Sequence, residues 1–351
     1  MKAIIYHEFG DVDVLRYEDV PLPEINDDEV LVRVRAVSLN HLDHLQRKGP
    51  AWLPGFSLPH IAGMDAAGEV ERVGQQVTNV KPGDRVVINP SINCKHCRRC
   101  INGENNYCMA LKVFGGNVNG GFAEFAKAPA THVYRLADNM SFEVAACMPT
   151  VYVTAWHALV DRGRLSVGET VLIHAAGSGV GMAAIQIAKL SGACVLTTAG
   201  SDEKVAKAYK LGADVAINYQ RDDFVAVVKE VTQGRGVDLV LEHIGPATWD
   251  KSVLCLRERG RLVHCGATTG VNVTINLPYC YHFGINIIGS DGFTNAEFET
   301  VLSLFNQGKF NPVIDSIYRL EQAAEAQRRM SERNLFGKIV LRPHETTHSP
   351  F

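Results

Sequence analysis

The stretch Thr170–Leu190, TVLIHAAGSGVGMAAIQIAKL, decides the fold. TVLIHA is an apolar run of strand length and GMAAIQIAKLSG reads as a helix; Gly177, Ser178, Gly179, Val180 and Gly181 form the turn where one gives way to the other. The alternation continues outward through CVLTTA (Cys194–Ala199), DEKVAKAYKLGA, VAINY, FVAVVKEVTQG, VDLVLEHIG and ERGRLVHCG to a last strand in INIIGSDGF (Ile285–Phe293). Strands alternating with helices need crossover connections, hence a parallel sheet. Their near-continuous Val, Ile and Leu fit a sheet covered on both faces. The expectation is a doubly wound α/β domain over residues 141–294.

A glycine-rich turn alone is weak as a signature, and this one is not a strict G-x-G-x-x-G. Its context is what counts. Glycine lets a pyrophosphate approach the backbone amides, and the following helix directs partial positive charge at it. In an NAD site an acidic residue is expected about twenty residues on, at the end of the next strand, to take the adenosine ribose. Here that strand ends in Thr198-Ala199-Gly200-Ser201, without a carboxylate. Ser201 offers a hydroxyl, Lys204 a charge and Tyr219 a further donor, so a 2′-phosphate fits and NADPH is preferred, with NADH as the alternative. Asp202 and Glu203 stand near enough that a shift in register would reverse the preference.

Before residue 140 the rhythm is different. EVLVRVRAVSL (Glu29–Leu39) and AAGEVERVG (Ala66–Gly74) alternate apolar and polar, and Lys81-Pro82-Gly83-Asp84 turns into RVVIN, so this half reads as a β-rich barrel or sandwich. Within it NCKHCRRCINGENNYC spaces Cys94, Cys97, Cys100 and Cys108 as C-x2-C-x2-C-x7-C. Four thiolates so close match a closed, structural zinc site. An iron–sulfur cluster uses overlapping spacings, and reduced thiols are the third reading; zinc is favoured because no further cysteine motif or proline follows. His96 is a bystander, since four thiolates complete the shell. The other cysteines, Cys147, Cys194, Cys255, Cys265 and Cys280, lie in apolar segments as core residues.

Length and composition bound the rest. The 351 residues suggest two domains, 46% hydrophobic and 21% charged residues exclude a disordered or fibrous chain, and a net charge of −3 offers nothing to nucleic acid or an anionic membrane. Nine cysteines, an odd number unevenly spaced, argue against an extracellular disulfide framework. MKAIIYHEFG does not read as a signal peptide and no apolar run approaches a membrane span, so the expected address is the cytoplasm.

This combination resembles the medium-chain dehydrogenase/reductase superfamily, the zinc alcohol dehydrogenases and quinone reductases. The matching segments run through the whole chain: PHIAGMDAAGEV, KPGDRVV, the cysteine lobe, GGFAEFAKAP, TVYVTAWHAL, AAGSGVG, GADVAINY, GRGVDLVLEHIG and GKIVL. The resemblance implies an α/β protein in which a GroES-like catalytic domain, residues 1–140 and 295–351 with the lobe at about 90–110, is joined to a Rossmann domain at 141–294, with a cleft at their junction. The chain's end would form a helix (Glu321 to Arg333) and a strand, GKIVLRP.

The departures from the family pattern direct the functional reading. Asn40 and Leu42 of SLNHLD stand where the zinc alcohol dehydrogenases carry a cysteine and its Ser or Thr partner; Met64 and Asp65 replace the His and Glu of G-H-E; Thr150 replaces the third ligand, with Cys147 out of register. Without a Lewis acid an unactivated alcohol has little to stabilise its alkoxide. Zinc-free members are similar to quinone and enone reductases, in which NADPH delivers hydride to a conjugated acceptor that needs mainly orientation, hydrogen bonds and a proton from water. By that resemblance Asn40 contacts the nicotinamide region or the substrate oxygen, Asp43 orders its loop, and Thr154 contacts the nicotinamide ribose or substrate. Lys338 and Asn334 would reach the cofactor phosphates, a plain surface role for Lys338 being equally open.

The expectation is an NADPH-dependent reductase of a quinone or α,β-unsaturated carbonyl, with structural zinc and no catalytic metal, acting on a small molecule as a homodimer. The dimer follows from the resemblance and the INIIGSDGF edge. One rival is an alcohol or aldehyde dehydrogenase with atypical ligands drawn from His41, Asp43 and His44. The other is a non-catalytic NADPH-binding sensor. Either histidine would also serve as proton donor, with an unperturbed pKa of ~6.5. Trp52 and Phe56 of AWLPGFSLP offer rings to stack on a flat substrate, or form a hydrophobic lid.

Overall fold

The computed structural model describes residues 1–50, 53–332 and 334–343. The chain folds as two compact units, one built from Met1–Thr150 and the chain from Phe293 on, the other from Val151–Gly292. The first division falls after Thr150, beyond the expected residue 140, because the backbone N–H and hydroxyl of Thr150 donate to Asp65 at 3.0 and 2.6 Å and Glu143 accepts from Arg342 at 2.6 Å. Both contacts tie residues 141–150 to the first unit.

The first unit is organised by the strand Glu29–Ser38, whose buried valines, Val30, Val32, Val34 and Val37, point into the core. Arg33 and Arg35 instead reach the neighbouring strand, where Glu71 and Glu69 accept their guanidinium bonds at 2.9 and 2.7 Å. Glu29–Ser38 pairs antiparallel with Asp65–Val73, with Phe125–Pro129 and, at its far end, with Lys338–Arg342. Arg85–Ile88 and Val133–Arg135 extend the sheet on one side, and Ile314–Arg319, parallel to Lys338–Arg342, closes the other. Register fixes the chemistry: Ser38 lies opposite Asp65 on one neighbour and Val340 on the other, so Asp65 and the C-terminal strand meet at the end of Glu29–Ser38.

Several elements of this unit are absent from the sequence reading, among them the helix His41–Lys48 and two elements after residue 290. The helix Asn295–Asn306 begins with a capping box in which Thr294 N–H donates to Glu297 at 2.7 Å and Glu297 N–H donates back to Thr294 Oγ1 at 3.2 Å. Ile314–Arg319 is the other. The helix expected over Glu321 to Arg333 is a 3-10 turn, Leu320–Gln322, followed by Ala323–Ser331; Arg333 lies outside the described residues.

The second unit is a six-stranded, wholly parallel sheet in the order Val215–Asn218, Cys194–Ala199, Thr170–Ile173, Val237–Glu242, Leu256–His264, Asn286–Gly289. From Thr170–Ile173 the chain first builds outward to one side and then, from Val237–Glu242, to the other. The order therefore reverses between these two central strands, where open α/β sheets bind ligands beyond the carboxyl ends. Val215–Asn218 and Asn286–Gly289 are the two edge strands, and among the described residues Asn286–Gly289 pairs with Leu256–His264 alone. Among the described residues no helix is long and apolar enough to cross a membrane.

Gly68 is a sharp constraint on the first sheet, since a Cβ there would meet Arg33 O at 2.0 Å. Gly68→Ala must push two paired strands apart, and the expected cost is about 1–3 kcal/mol of unfolding free energy, measured from urea denaturation midpoints.

Candidate functional site

In the first unit a buried polar cluster forms where the register brings Ser38, Asn40, Asp65, Thr150 and Lys338 together. Asp65, fully buried, accepts from Ser38 Oγ at 3.1 Å, Asn40 Nδ2 at 2.8 Å, and Thr150 N and Oγ1 at 3.0 and 2.6 Å. Lys338 opens the strand KIVLR, ahead of the buried Ile339, Val340 and Leu341, and turns its ammonium inward. Its three protons have three acceptors: Leu39 O at 2.7 Å, Asn40 Oδ1 at 2.7 Å and Asp65 Oδ2 at 3.3 Å. Lys338 therefore neither lies on the surface nor reaches toward phosphates, because it is held as the buried counter-ion of Asp65, an expensive charge to bury alone. The amide of Asn40 is engaged at both ends by this pair, which fixes its orientation and leaves the second amide hydrogen as the remaining donor.

Asp43 sits one helical turn into His41–Lys48. Its carboxyl accepts from Asn40 N at 2.7 Å and Gly63 N at 3.1 Å, bracing the two loops that carry Asn40 and Met64. Burial pushes its pKa up to about 7, against those two amides and the charge of Lys338. His41 and His44 stack on each other at 5.8 Å, and His44 Nδ1 takes a guanidinium N–H of Arg47 at 3.2 Å. Asp43 is thus turned away from both histidines, and the metal site imagined from His41, Asp43 and His44 does not assemble. Burial, with Arg47 and Lys48, lowers His44 to about 4, so it is neutral at pH 7 and is not a proton donor. Phe56 packs on Phe9 at 5.6 Å and His60 at 4.8 Å within the unit rather than standing free as a substrate platform; Trp52 lies outside the described residues.

The donor set at the family's catalytic-metal positions is an amide, a thioether, a carboxylate already shared among five donor groups, and a hydroxyl. An ammonium group stands among them, so these residues do not fit a divalent cation. Cys147 is buried, and desolvation pushes its thiol up to about 12.

The cysteine lobe does fit one. The Sγ atoms of Cys94, Cys97, Cys100 and Cys108 lie within 4.8 Å of one another, and within the first unit they are, among the described residues, the sole group of three or more His, Cys, Asp or Glu side chains able to hold a metal ion. Lys95, at φ 65°, folds the knuckle so that Cys97 N–H donates to Cys94 Sγ at 3.3 Å, while Cys94 N–H and Ala110 N–H reach Cys108 Sγ at 3.3 and 3.4 Å. Such bonds favour thiolate over thiol. The amides of Cys100 and Met109 hold Cys97 down to about 6, and His96 contributes through its backbone amide to Cys94.

In the second unit Ser178 caps the helix Gly179–Leu190, its Oγ accepting from Gly181 N at 2.9 Å. A Cβ on Gly181 would lie 2.2 Å from Ala175 O, so only glycine lets helix and strand close to this distance. Gly177, Ser178, Gly179 and Val180 thus form the tight strand-to-helix connection at the switch point. At the next strand end Ser201 caps Asp202–Lys210 by accepting from Lys204 N at 3.2 Å, and Tyr219 N–H bonds Ala199 O at 3.1 Å. The Tyr219 hydroxyl stands 2.7 Å from where a Gly200 Cβ would be, which brings Gly200, Ser201, Lys204 and Tyr219 to one strand end. Asp202 accepts from Asn218 Nδ2 at 2.8 Å and from Arg221 at 3.3 Å, and Glu203 pairs with Lys207 at 2.7 Å. Thr154 is half-buried on the helix Pro149–Trp156.

A GroES-like sheet with a thiol knuckle and a parallel, dinucleotide-type sheet define a medium-chain dehydrogenase/reductase. Residues 26–138 match the model of the alcohol dehydrogenase GroES-like domain and residues 179–307 that of the zinc-binding dehydrogenases, and the chain belongs to this oxidoreductase family. It is 32% identical to an NAD-dependent alcohol dehydrogenase of Sulfolobus acidocaldarius over 97% of this chain and 99% of that one. An acryloyl-coenzyme A reductase of Sulfurisphaera tokodaii is 31% identical, over 98% and 100% of the two chains. The crystal structure of an NAD-dependent alcohol dehydrogenase superposes with a TM-score of 0.94 at 39% identity, covering 98% of this chain and 100% of that one.

The cluster generates two expectations. Lys338→Met leaves Asp65 buried without its counter-ion and should cost about 3–5 kcal/mol in urea unfolding, much of it recovered in the Lys338→Met, Asp65→Asn double variant. Asp43, raised in the folded state, contributes stability that is complete below pH ~4 and lost as pH rises toward 7. The stability advantage of the parent over Asp43→Asn should therefore shrink between pH 4 and 7 when unfolding is measured across that range.

Proposed function

We propose that this oxidoreductase reduces a conjugated acceptor, a quinone or an α,β-unsaturated carbonyl, with NADPH and without a catalytic metal. The observation that carries the reading is Lys338, whose ammonium takes Leu39 O, Asn40 Oδ1 and Asp65 Oδ2 where the zinc-type dehydrogenases would need ligands. NADPH, when bound, supplies the hydride. A conjugated acceptor spreads the incoming charge over its own π-system and takes its proton from water, so it asks the protein for orientation and a hydrogen bond rather than a Lewis acid. Asn40, locked by Asp65 and Lys338, keeps one amide hydrogen for that bond, and Asp43 fixes the backbone on which it stands. Thr154 is assigned to the nicotinamide ribose or substrate.

Gly177, Ser178, Gly179, Val180 and Gly181 would hold the pyrophosphate, with the helix Gly179–Leu190 behind them. Ser201, Lys204 and Tyr219, at the Gly200 strand end, would hold the 2′-phosphate. This preference for NADPH is supported by Thr198-Ala199-Gly200-Ser201, the strand end itself, which carries no carboxylate; Asp202 and Glu203 follow it in exposed pairs with Arg221 and Lys207. Zinc is assigned to Cys94, Cys97, Cys100 and Cys108 as a structural ion. The soluble homodimer and cytoplasmic address expected from the sequence belong to the same proposal.

Elemental analysis should find about one zinc per chain, reduced to none in Cys97→Ser, and NADPH oxidation should require a conjugated acceptor and survive mild chelation. Two zincs per chain together with oxidation of a simple alcohol would overturn the reading.

A further inference from the structure

Beneath the glycine-rich turn of the second unit lies a string of buried polar side chains that the proposed reaction does not use. Glu242, at the end of Val237–Glu242, is fully buried, as are Ser252 and His174, at 0 and 1% exposure, and Thr198 at 3%. Glu242 Oε2 accepts from Ser252 Oγ at 2.6 Å and Thr248 Oγ1 at 2.9 Å, while Oε1 accepts from Ile244 N at 2.7 Å and Gly245 N at 3.0 Å. Ser252 Oγ is 2.8 Å from His174 Nε2, His174 Nδ1 is 3.1 Å from Thr198 Oγ1, and Thr198 Oγ1 accepts from Ala175 N at 3.1 Å.

These contacts allow one consistent direction of donation. A carboxylate only accepts, and the two Glu242 oxygens take four donors, the Ile244 and Gly245 amides and the Ser252 and Thr248 hydroxyls, so the group is read as ionised. The Ser252 hydrogen, which has Thr248 O as a second acceptor at 2.9 Å, goes to the closer, charged oxygen. Ser252 Oγ must then accept from His174 Nε2–H. Burial keeps the His174 imidazole neutral, so its Nδ1 is an acceptor and takes the Thr198 hydroxyl hydrogen. That leaves Thr198 Oγ1 free to accept the Ala175 amide. The His174 carbonyl is held as well, by His243 Nε2 at 2.9 Å. Every link from the Ala175 amide to Glu242 points the same way, and the two ends are the glycine-rich turn and the loop Ile244–Gly245 on either side of the switch point.

We propose that Glu242, Ser252, His174 and Thr198 form one polarised hydrogen-bond chain that positions the glycine-rich turn for the dinucleotide pyrophosphate. These are positioning residues, and the inference rests on the dinucleotide reading given above. In Glu242→Gln the new NH2 cannot face the Ile244 and Gly245 amides, which are fixed donors, so it faces the hydroxyls. Ser252 must then accept from it, its own hydrogen leaves residue 242 for Thr248 O or His174 Nε2, and the chain from the Ala175 amide to residue 242 is broken at Ser252.

The test combines imidazole 15N spectra of the cofactor-free protein, with His174 assigned by its loss in His174→Gln, and titrations with NADPH and NADH. The parent should show the Nε2–H tautomer at His174. Glu242→Gln and Ser252→Ala should each raise the dissociation constants of both dinucleotides roughly 3–10-fold, the scale of one lost hydrogen bond, with kcat on saturating cofactor little changed. Val228→Ala, which opens a void in the apolar core of the same unit and removes no side-chain hydrogen bond, should lower thermal stability and leave both constants unchanged. An Nδ1–H tautomer in the parent, unchanged constants in both variants, or equal weakening in Val228→Ala overturns the proposal. A parent protein that binds neither dinucleotide overturns the reading on which it rests.

Discussion

The first unit depends on a single buried ion pair. Asp65 and Lys338 come from strands far apart in sequence, and each is tolerable inside the protein only because the other is there. The pair organises what surrounds it: the three protons of the ammonium are used up on Leu39, Asn40 and Asp65, and the carboxylate gathers Ser38, Asn40 and Thr150. An amide side chain in solvent samples several rotamers, whereas Asn40 is gripped through its oxygen and one hydrogen. A low-dielectric polar cluster of this kind is rigid when every member is satisfied, and rigidity is what an orienting residue needs.

A second cluster, in the other unit, works by a similar principle with different chemistry. There the anion is Glu242, and among the described residues no Lys or Arg pairs with it; the charge is distributed over two hydroxyls and two amides, and burial keeps the neighbouring His174 neutral. Neutral hydrogen-bond chains transmit orientation, while an ion pair fixes position. The protein uses the pair where loops from remote parts of the chain must be joined and the chain where consecutive strand ends must be aligned.

Much of this was legible in the sequence and some was not, for identifiable reasons. The parallel sheet was readable because each of its strands is a local apolar run and each crossover a local helix, as in TVLIHA and CVLTTA. The cysteine knuckle was readable because its ligands are neighbours in sequence. Lys338 was misjudged because a lysine near a chain's end is ordinarily solvated, and its burial depends on Asp65, a partner no local window contains; its place at the head of KIVLR was the available hint. The helix Asn295–Asn306 was overlooked although Thr294 and Glu297 spell its capping box. His44 looked suited to proton donation by type, and only packing beside Arg47 shows that it is neutral at pH 7.

The first unit is assembled from both ends of the chain, with the whole second unit inserted after Thr150. During synthesis the Asp65 strand therefore emerges long before the Lys338 strand, and the contiguous parallel sheet of the second unit is complete in between. Until Lys338 arrives, Asp65 lacks the cation that makes its burial affordable, so the early segment must remain open and hydrated at that point. The ion pair thus acts as a latch in time, closing the first unit as one of the last events in the folding of the chain.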